Sequence, residues 1–207
     1  YLVIQDGAIT VTAQGDGLKS DNEEDAAKGY ISIEAGVLDV TAAGDAIQAQ
    51  TDVTIGGGQF VLATGGGSSA RIDEATSAKG IKAGVNVVID GGTFAIDSAD
   101  DAIHSNGALT VNGGTFDIAT GDDAMHADAE LTVNDGAIDI TRSYEGIESA
   151  VITVNGGDLH VVSSDDGLNV AGGNDSSGMA PAGQPATGGR PGRGDGPRQD
   201  AFAATNN

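Results

Sequence analysis

Carboxylates recur in this chain at positions that align when the sequence is folded back on itself. Asp16, Asp45, Asp101, Asp123, Glu145 and Asp166 share one column, with Lys79 in place of an acid between Asp45 and Asp101. Asp100, Asp122 and Asp165 form a second column just before it. Successive members of the first column stand 29, 34, 22, 22, 22 and 21 residues apart. Acids stacked about 5 Å apart repel by roughly 3 kcal/mol at an effective dielectric near 20, and by under about 1 kcal/mol in water. Either solvent or a bound cation must relieve that strain. Calcium suits the donors, because it accepts about six to eight oxygens at roughly 2.3–2.6 Å and can be shared between levels. Asp128, Glu148 and turn carbonyls could complete its shell.

Three residues beyond each acid lies a column of hydrogen-bonding side chains: Lys19, Gln48, Lys82, His104, His126, Glu148 and Asn169. It reads as an outward ladder that could hydrogen-bond sugar hydroxyls or carboxylates, or simply be solvated. His104 and His126 invite a zinc reading, but two histidines with neither a cysteine nor a short ligand spacing are a thin donor set. Asn112, Asn134 and Asn155 form a further column at a turn, where amides are expected to satisfy the turn backbone.

The repeat around these residues is clearest at 108–129, ALTVNGGTFDIATGDDAMHADA, and seven copies are legible in all. Each carries three short apolar pulses with the strand period of two, here Leu109 and Val111, Phe116 and Ile118, then Met125. Asn112-Gly113-Gly114 and Thr120-Gly121-Asp122 separate the pulses with turn residues. Three strands per copy leave no stretch for the crossover helix of a βαβ unit. The expected fold is therefore all-β: a right-handed parallel β-helix of about seven three-strand coils of about 22 residues. Its inward columns are Ile9, Leu38, Phe60, Phe94, Phe116, Ile138, Leu159 and Leu18, Ile47, Ile81, Ile103, Met125, Ile147, Leu168. These phenylalanines are core, not a sugar-stacking platform.

The solenoid is expected over residues 1–173, followed by a Gly/Pro-rich flexible loop or tail over 174–207, in which Arg193-Gly194-Asp195 reads as a chance tripeptide. Two insertions, 20–30 and 65–77, are expected on one rim beside a binding face. Neither a signal peptide nor an obvious cap at either end of the stack is visible, so a trimmed chain lacking neighbouring coils is expected. The formal charge of −22 makes nucleic acid and anionic membrane poor partners, and no run is long enough to insert in a bilayer. There is no cysteine and no tryptophan; Tyr30 and Tyr144 are the candidates for exposed stacking aromatics. The outward column Val3, Ser32, Thr54, Val88, Thr110, Thr132, Thr153 is one threonine wide and interrupted, which disfavours an ice-binding face.

The blocks GDGLKSDNEEDAAKGYISIEAG, KGIKAG, SADDAIHSNG, GDDAMHADAELTVNDGAIDITRSYEGIES and SSDDGLNVAGGNDSSGMAP occur in order. Together they resemble the bacterial secreted family of carbohydrate-binding domain-containing proteins. That resemblance implies a β-helix similar to calcium-dependent pectate lyases of polysaccharide lyase family nine. It implies calcium as cofactor, and binding of acidic plant polysaccharide and cellulose in place of established lyase activity. The adjacent pairs Asp100-Asp101 and Asp122-Asp123 match the pattern of the lyases' calcium site. The lyases use a lysine base, which Lys79 or Lys82 could supply, although pairing with the acidic ladder explains both lysines better. Arg142, beside Tyr144 at another turn, is a candidate for a sugar carboxylate.

The expected function is calcium-dependent, non-catalytic binding of acidic plant cell-wall polysaccharide (polygalacturonate or pectin foremost, with cellulose a further candidate) by an extracellular or cell-surface monomer. The expected metal ligands come from Asp16, Asp45, Asp100, Asp101, Asp122, Asp123, Glu145, Asp165 and Asp166. The expected polysaccharide contacts come from Lys79, Lys82, His104, His126, Arg142, Tyr144 and Glu148. Two alternatives stay open: a calcium-dependent pectate lyase acting by β-elimination, and a structural adhesin or surface spacer.

Overall fold

Period-two alternation makes each apolar pulse a short strand with one buried face, and three such faces per repeat close around a shared interior. A computed structural model of the protein describes residues 1–73 and 76–170 and shows this arrangement. Each repeat gives one strand to each of three sheets, and each sheet holds seven parallel strands. One repeat runs through Ala108–Val111 in the first sheet, Thr115–Thr120 in the second and Met125–Ala127 in the third. No α-helix is present among the described residues; the one helical turn is a 3-10 turn, Ala26–Lys28, inside the first insertion. Residues 174–207, where the tail and Arg193-Gly194-Asp195 are expected, lie outside the described residues.

Register follows the expected columns. Phe60, Phe94 and Phe116 pair in line, with ring centroids 4.6 and 4.7 Å apart and planes within 6°. Ile81, Ile103, Met125 and Ile147 pair likewise in the third sheet, and all are fully buried. Burying one such side chain contributes about 1.5–3 kcal/mol, and each repeat adds several to the same continuous core. The turn between the first and second sheets needs glycine. Gly114 has φ +115°, and a Cβ there would lie 3.0 Å from the carbonyl oxygen of Gly92 on the preceding coil.

Two expectations change. The asparagine column does not serve the turn backbone: Asn155 donates to Asn134, Asn134 to Asn112 and Asn112 to Asp90, each at 2.7 Å. The turn amides are already used, since the Asn112 and Asn134 N–H groups donate to Ile89 and Val111 of the preceding coil. The insertions also do not share a rim. Residues 20–30 leave the third sheet towards the first, and the described part of 65–77 joins the second sheet to the third, so they flank the third sheet on its two sides.

Candidate cation ladder and polar cleft

The chemistry gathers around the third sheet, whose strands are at most three residues long. In Ile47–Ala49, Ile81–Ala83, Ile103–Ser105 and Met125–Ala127 all three residues are buried, including the outward-pointing middle one. The ladder expected to be exposed is therefore enclosed at Gln48, Lys82, His104 and His126. Turn residues on both sides reach over the short strand and cover it. The His104 ring lies between Asp101, 2.8 Å from Nδ1, and Asn106, 3.0 Å from Nε2. The His126 ring lies between Asp123 and Asp128, each at 3.2 Å. The two rings stack at 4.9 Å and face different partners, so they do not chelate one ion together.

The middle of the acidic column is likewise buried: Asp45, Asp101, Asp123 and Glu145 are each 4% exposed or less, while Asp16 is half-buried and Asp166 exposed. One carboxylate oxygen binds the next coil. Oδ1 of Asp16 accepts from the Asp45 N–H, Oδ1 of Asp45 from Lys79, Oδ1 of Asp101 from Asp123, and Oδ1 of Asp123 from Glu145. The other oxygen meets a cation or imidazole. Oδ2 of Asp16 contacts Lys19 at 2.8 Å, Oδ2 of Asp101 contacts His104, and Oδ2 of Asp123 contacts His126. A short side chain beside a turn can thus bridge two coils and hold a charged partner at once. Recurrence of Asp three residues before Lys or His was the signal for the second role; nothing in the sequence pointed to the first.

Lys79, sitting in the acidic column itself, is fully buried, with Nζ 2.9 Å from Asp100 and 2.6 Å from Asp101. Burial alone would favour its neutral form, but the Asp101 and Asp100 charges outweigh it and hold the ammonium above the usual lysine range. Lys79 therefore supplies much of the charge relief assigned from sequence to solvent or calcium. Burial also works against ionised Asp101, yet the Lys79 charge and the His104 hydrogen bond keep its carboxyl below the usual range. Lys82 donates to Ser77 at 3.0 Å and lies 3.8 Å from Asp45. Burial lowers its pKa against the pull of Asp45. Burial, with the Asp101 and Asp122 charges, pushes Asp123 up to about 8, partly offset by His126. Burial pushes Glu145 up to about 7 against the hydrogen bond that Asn169 donates to it at 2.7 Å.

Among the described residues, two sets of three side chains bring ligand atoms within 4.8 Å of one another: Asp100, Asp101 and Asp122, and Asp123, His126 and Glu148. The first offers oxygen alone and fits calcium, with Lys79 already beside two of its carboxylates. Asp45 is engaged by Ser77 and Lys82, Asp16 by Lys19, and Glu145 by Asn169. Asp165 and Asp166 are exposed on the last described coil.

Lys79, Lys82, His104 and His126 are too enclosed to touch a polymer, whereas Arg142 is exposed, and Tyr144 and Glu148 are half-buried. A β-bulge is responsible for Arg142. Ile118 pairs with Ile140, but Ala119 pairs with Arg142, leaving Thr141 as an extra residue whose hydroxyl donates to the Ile118 carbonyl. Without it Arg142 would fall opposite Thr120, on the inward face; the bulge turns it out. Arg142 and Tyr144 line an open cleft of about 500 Å³ with Thr120, Gly121, Ser163 and Ser164. Its wall runs directly into the cation ladder, because the Tyr144 N–H donates to the Asp122 carbonyl at 2.8 Å. Tyr30, the other expected platform, stacks on Tyr1 at 4.9 Å.

Fold and site together define a parallel β-helix with a buried acid–base ladder beside a cleft lined by Arg142 and Tyr144. A family model described as Carbohydrate-binding domain-containing protein matches residues 1–124, more than half of the chain, and the chain belongs to that family. Membership supports a carbohydrate-binding role. The matched stretch includes both Asp pairs at 100–101 and 122–123, and ends before Arg142 and Tyr144. No curated protein and no solved structure matches the chain. No helix among the described residues is long and apolar enough to cross a membrane.

Proposed function

We propose that the protein is a non-catalytic, calcium-dependent binder of acidic plant cell-wall polysaccharide, polygalacturonate foremost, acting outside the cell or at its surface. The observation that carries this reading is the bulge that presents Arg142 to the cleft beside Tyr144, in a chain whose charge is otherwise strongly negative. Arginine offers a planar fork to a uronate carboxylate, Tyr144 a ring edge or face to the sugar, and Ser163 and Ser164 hydroxyls to its OH groups. Calcium at Asp100, Asp101 and Asp122 reduces the repulsion between an anionic protein and an anionic polymer.

One observation favours the lyase reading. Lys82 has a lowered pKa, and proton abstraction next to a uronate carboxylate needs a neutral amine. Its burial and its contacts with Ser77 and Asp45 hold it away from the cleft side chains named above. A pull-down on insoluble polygalacturonate, with calcium or chelator, combined with absorbance of unsaturated uronides, separates the two. Retention that needs calcium and Arg142, without rising absorbance, supports the binder. Rising absorbance abolished by Lys82→Met establishes the lyase, and retention indifferent to both chelator and Arg142→Ala refutes the proposed site.

A further inference from the structure

The rung formed by His126 differs from the one before it. His104 meets one carboxylate and one amide, those of Asp101 and Asn106. At His126 the amide is replaced by Asp128, and the next coil carries Glu148 in place of a third histidine, so two carboxylates converge on one ring nitrogen. Nδ1 lies 3.2 Å from Asp123 Oδ2 and 3.6 Å from Glu148 Oε2.

Those separations match the edges of a tetrahedron. Metal–ligand bonds of about 2.0–2.1 Å place ligand atoms about 3.3–3.4 Å apart. Asp128 Oδ1, 3.2 Å from Nε2, is placed to accept that N–H, so an ion entering the gap displaces the proton that Nδ1 shares with Asp123 and Glu148. Asp123 keeps Oδ1 for the Glu145 amide, which leaves Oδ2 for an ion. Imidazole is not a calcium donor, whereas one histidine and two carboxylates suit zinc and its neighbours, with a fourth position open. Glu148 and Asp128 side chains, 15% and 25% exposed, give the ion its way in.

We infer that Asp123, His126 and Glu148 form a binding site for a divalent transition metal of the zinc type, one rung from the oxygen-only cluster and chemically distinct from it. It stands independently of the polysaccharide reading.

The experiment uses the full chain in excess calcium, titrated with zinc by calorimetry and with cobalt(II) by visible absorption. One equivalent of zinc should bind despite calcium, and cobalt should show ligand-field bands. Glu148→Gln and His126→Gln should each weaken binding by at least about tenfold, and Asp128→Asn, which touches no metal, by about tenfold. His104→Gln should keep the site. Should His126→Gln fail to fold, the partly exposed Glu148 variant decides. Absence of zinc binding, full displacement by calcium, or equal affinity in the Glu148→Gln variant overturns the assignment.

Discussion

Lys79→Met tests how the ladder is neutralised. The substitution keeps much of the buried stem and removes an ammonium that holds Asp100 at 2.9 Å and Asp101 at 2.6 Å. Breaking a buried ion pair from one side costs about 3–5 kcal/mol, because the remaining charge is buried uncompensated. Both carboxylates lose the ammonium while Asp101 keeps His104 and the Asp123 N–H, so the loss should lie within that range, about 3–5 kcal/mol in urea unfolding at mildly alkaline pH. It should shrink under acidic conditions: burial and the Asp101 charge raise the Asp100 pKa, so Asp100 takes up a proton early and cancels one of the two charges. Calcium should then rescue the variant more than the wild type, since it meets three carboxylates with no competing ammonium; at 100 times its Kd the gain is about 2.7 kcal/mol. A loss under about 1 kcal/mol, or equal calcium response in the two proteins, would refute the claim that Lys79 is the resident cation of this cluster.

Asp122→Asn should weaken calcium-dependent polygalacturonate retention, while Asp117→Asn, on the exposed face of the second sheet, should not; equal effects in the pull-down would point to diffuse charge. Asp123 titrates near 3.9 when unfolded and at about 8 when folded. The folded state therefore holds the extra proton between those values and its stability falls as pH rises through them. Asp123→Asn should flatten that slope in calcium-free melts. Arg142→Ala should weaken retention about tenfold or more, in line with about 1.5–3 kcal/mol for a charge-assisted hydrogen bond. Phe94→Ala, which empties the middle of the phenylalanine stack, should cost about 3–5 kcal/mol by denaturant titration with no change in calcium affinity.

The strands and their register were legible because inward positions repeat coil after coil, so a column such as Ile81, Ile103, Met125 and Ile147 carries the pairing on its face. Burial of His104 and His126 was not, because alternation places them outward and only the folded turns show what lies over them. The carboxylate-to-amide bonds left no trace, since their donor is backbone. The bulge at Thr141 was hidden by compensation: the following turn is one residue shorter, so Asp123 and Glu145 remain in step as though nothing had been inserted. The lysine that breaks the acidic column was visible throughout, but its two partners become apparent only when Asp100 and Asp101 turn towards it.

The carboxylate-to-amide bond has a consequence for how such a solenoid changes length. Its acceptor belongs to one coil and its donor is a peptide group of the next, so the joint asks nothing of the incoming residue's side chain. Asp45 passes the bond to a lysine, Asp101 to an aspartate and Asp123 to a glutamate. Proline alone, having no N–H, is shut out at the receiving position. A coil duplicated or lost during evolution would leave the seam chemically sound, and its new face residues could drift at once. Diversification of the exposed surface is thereby uncoupled from cohesion of the stack, which lets a scaffold of this kind acquire new ligands without first relearning how to hold itself together.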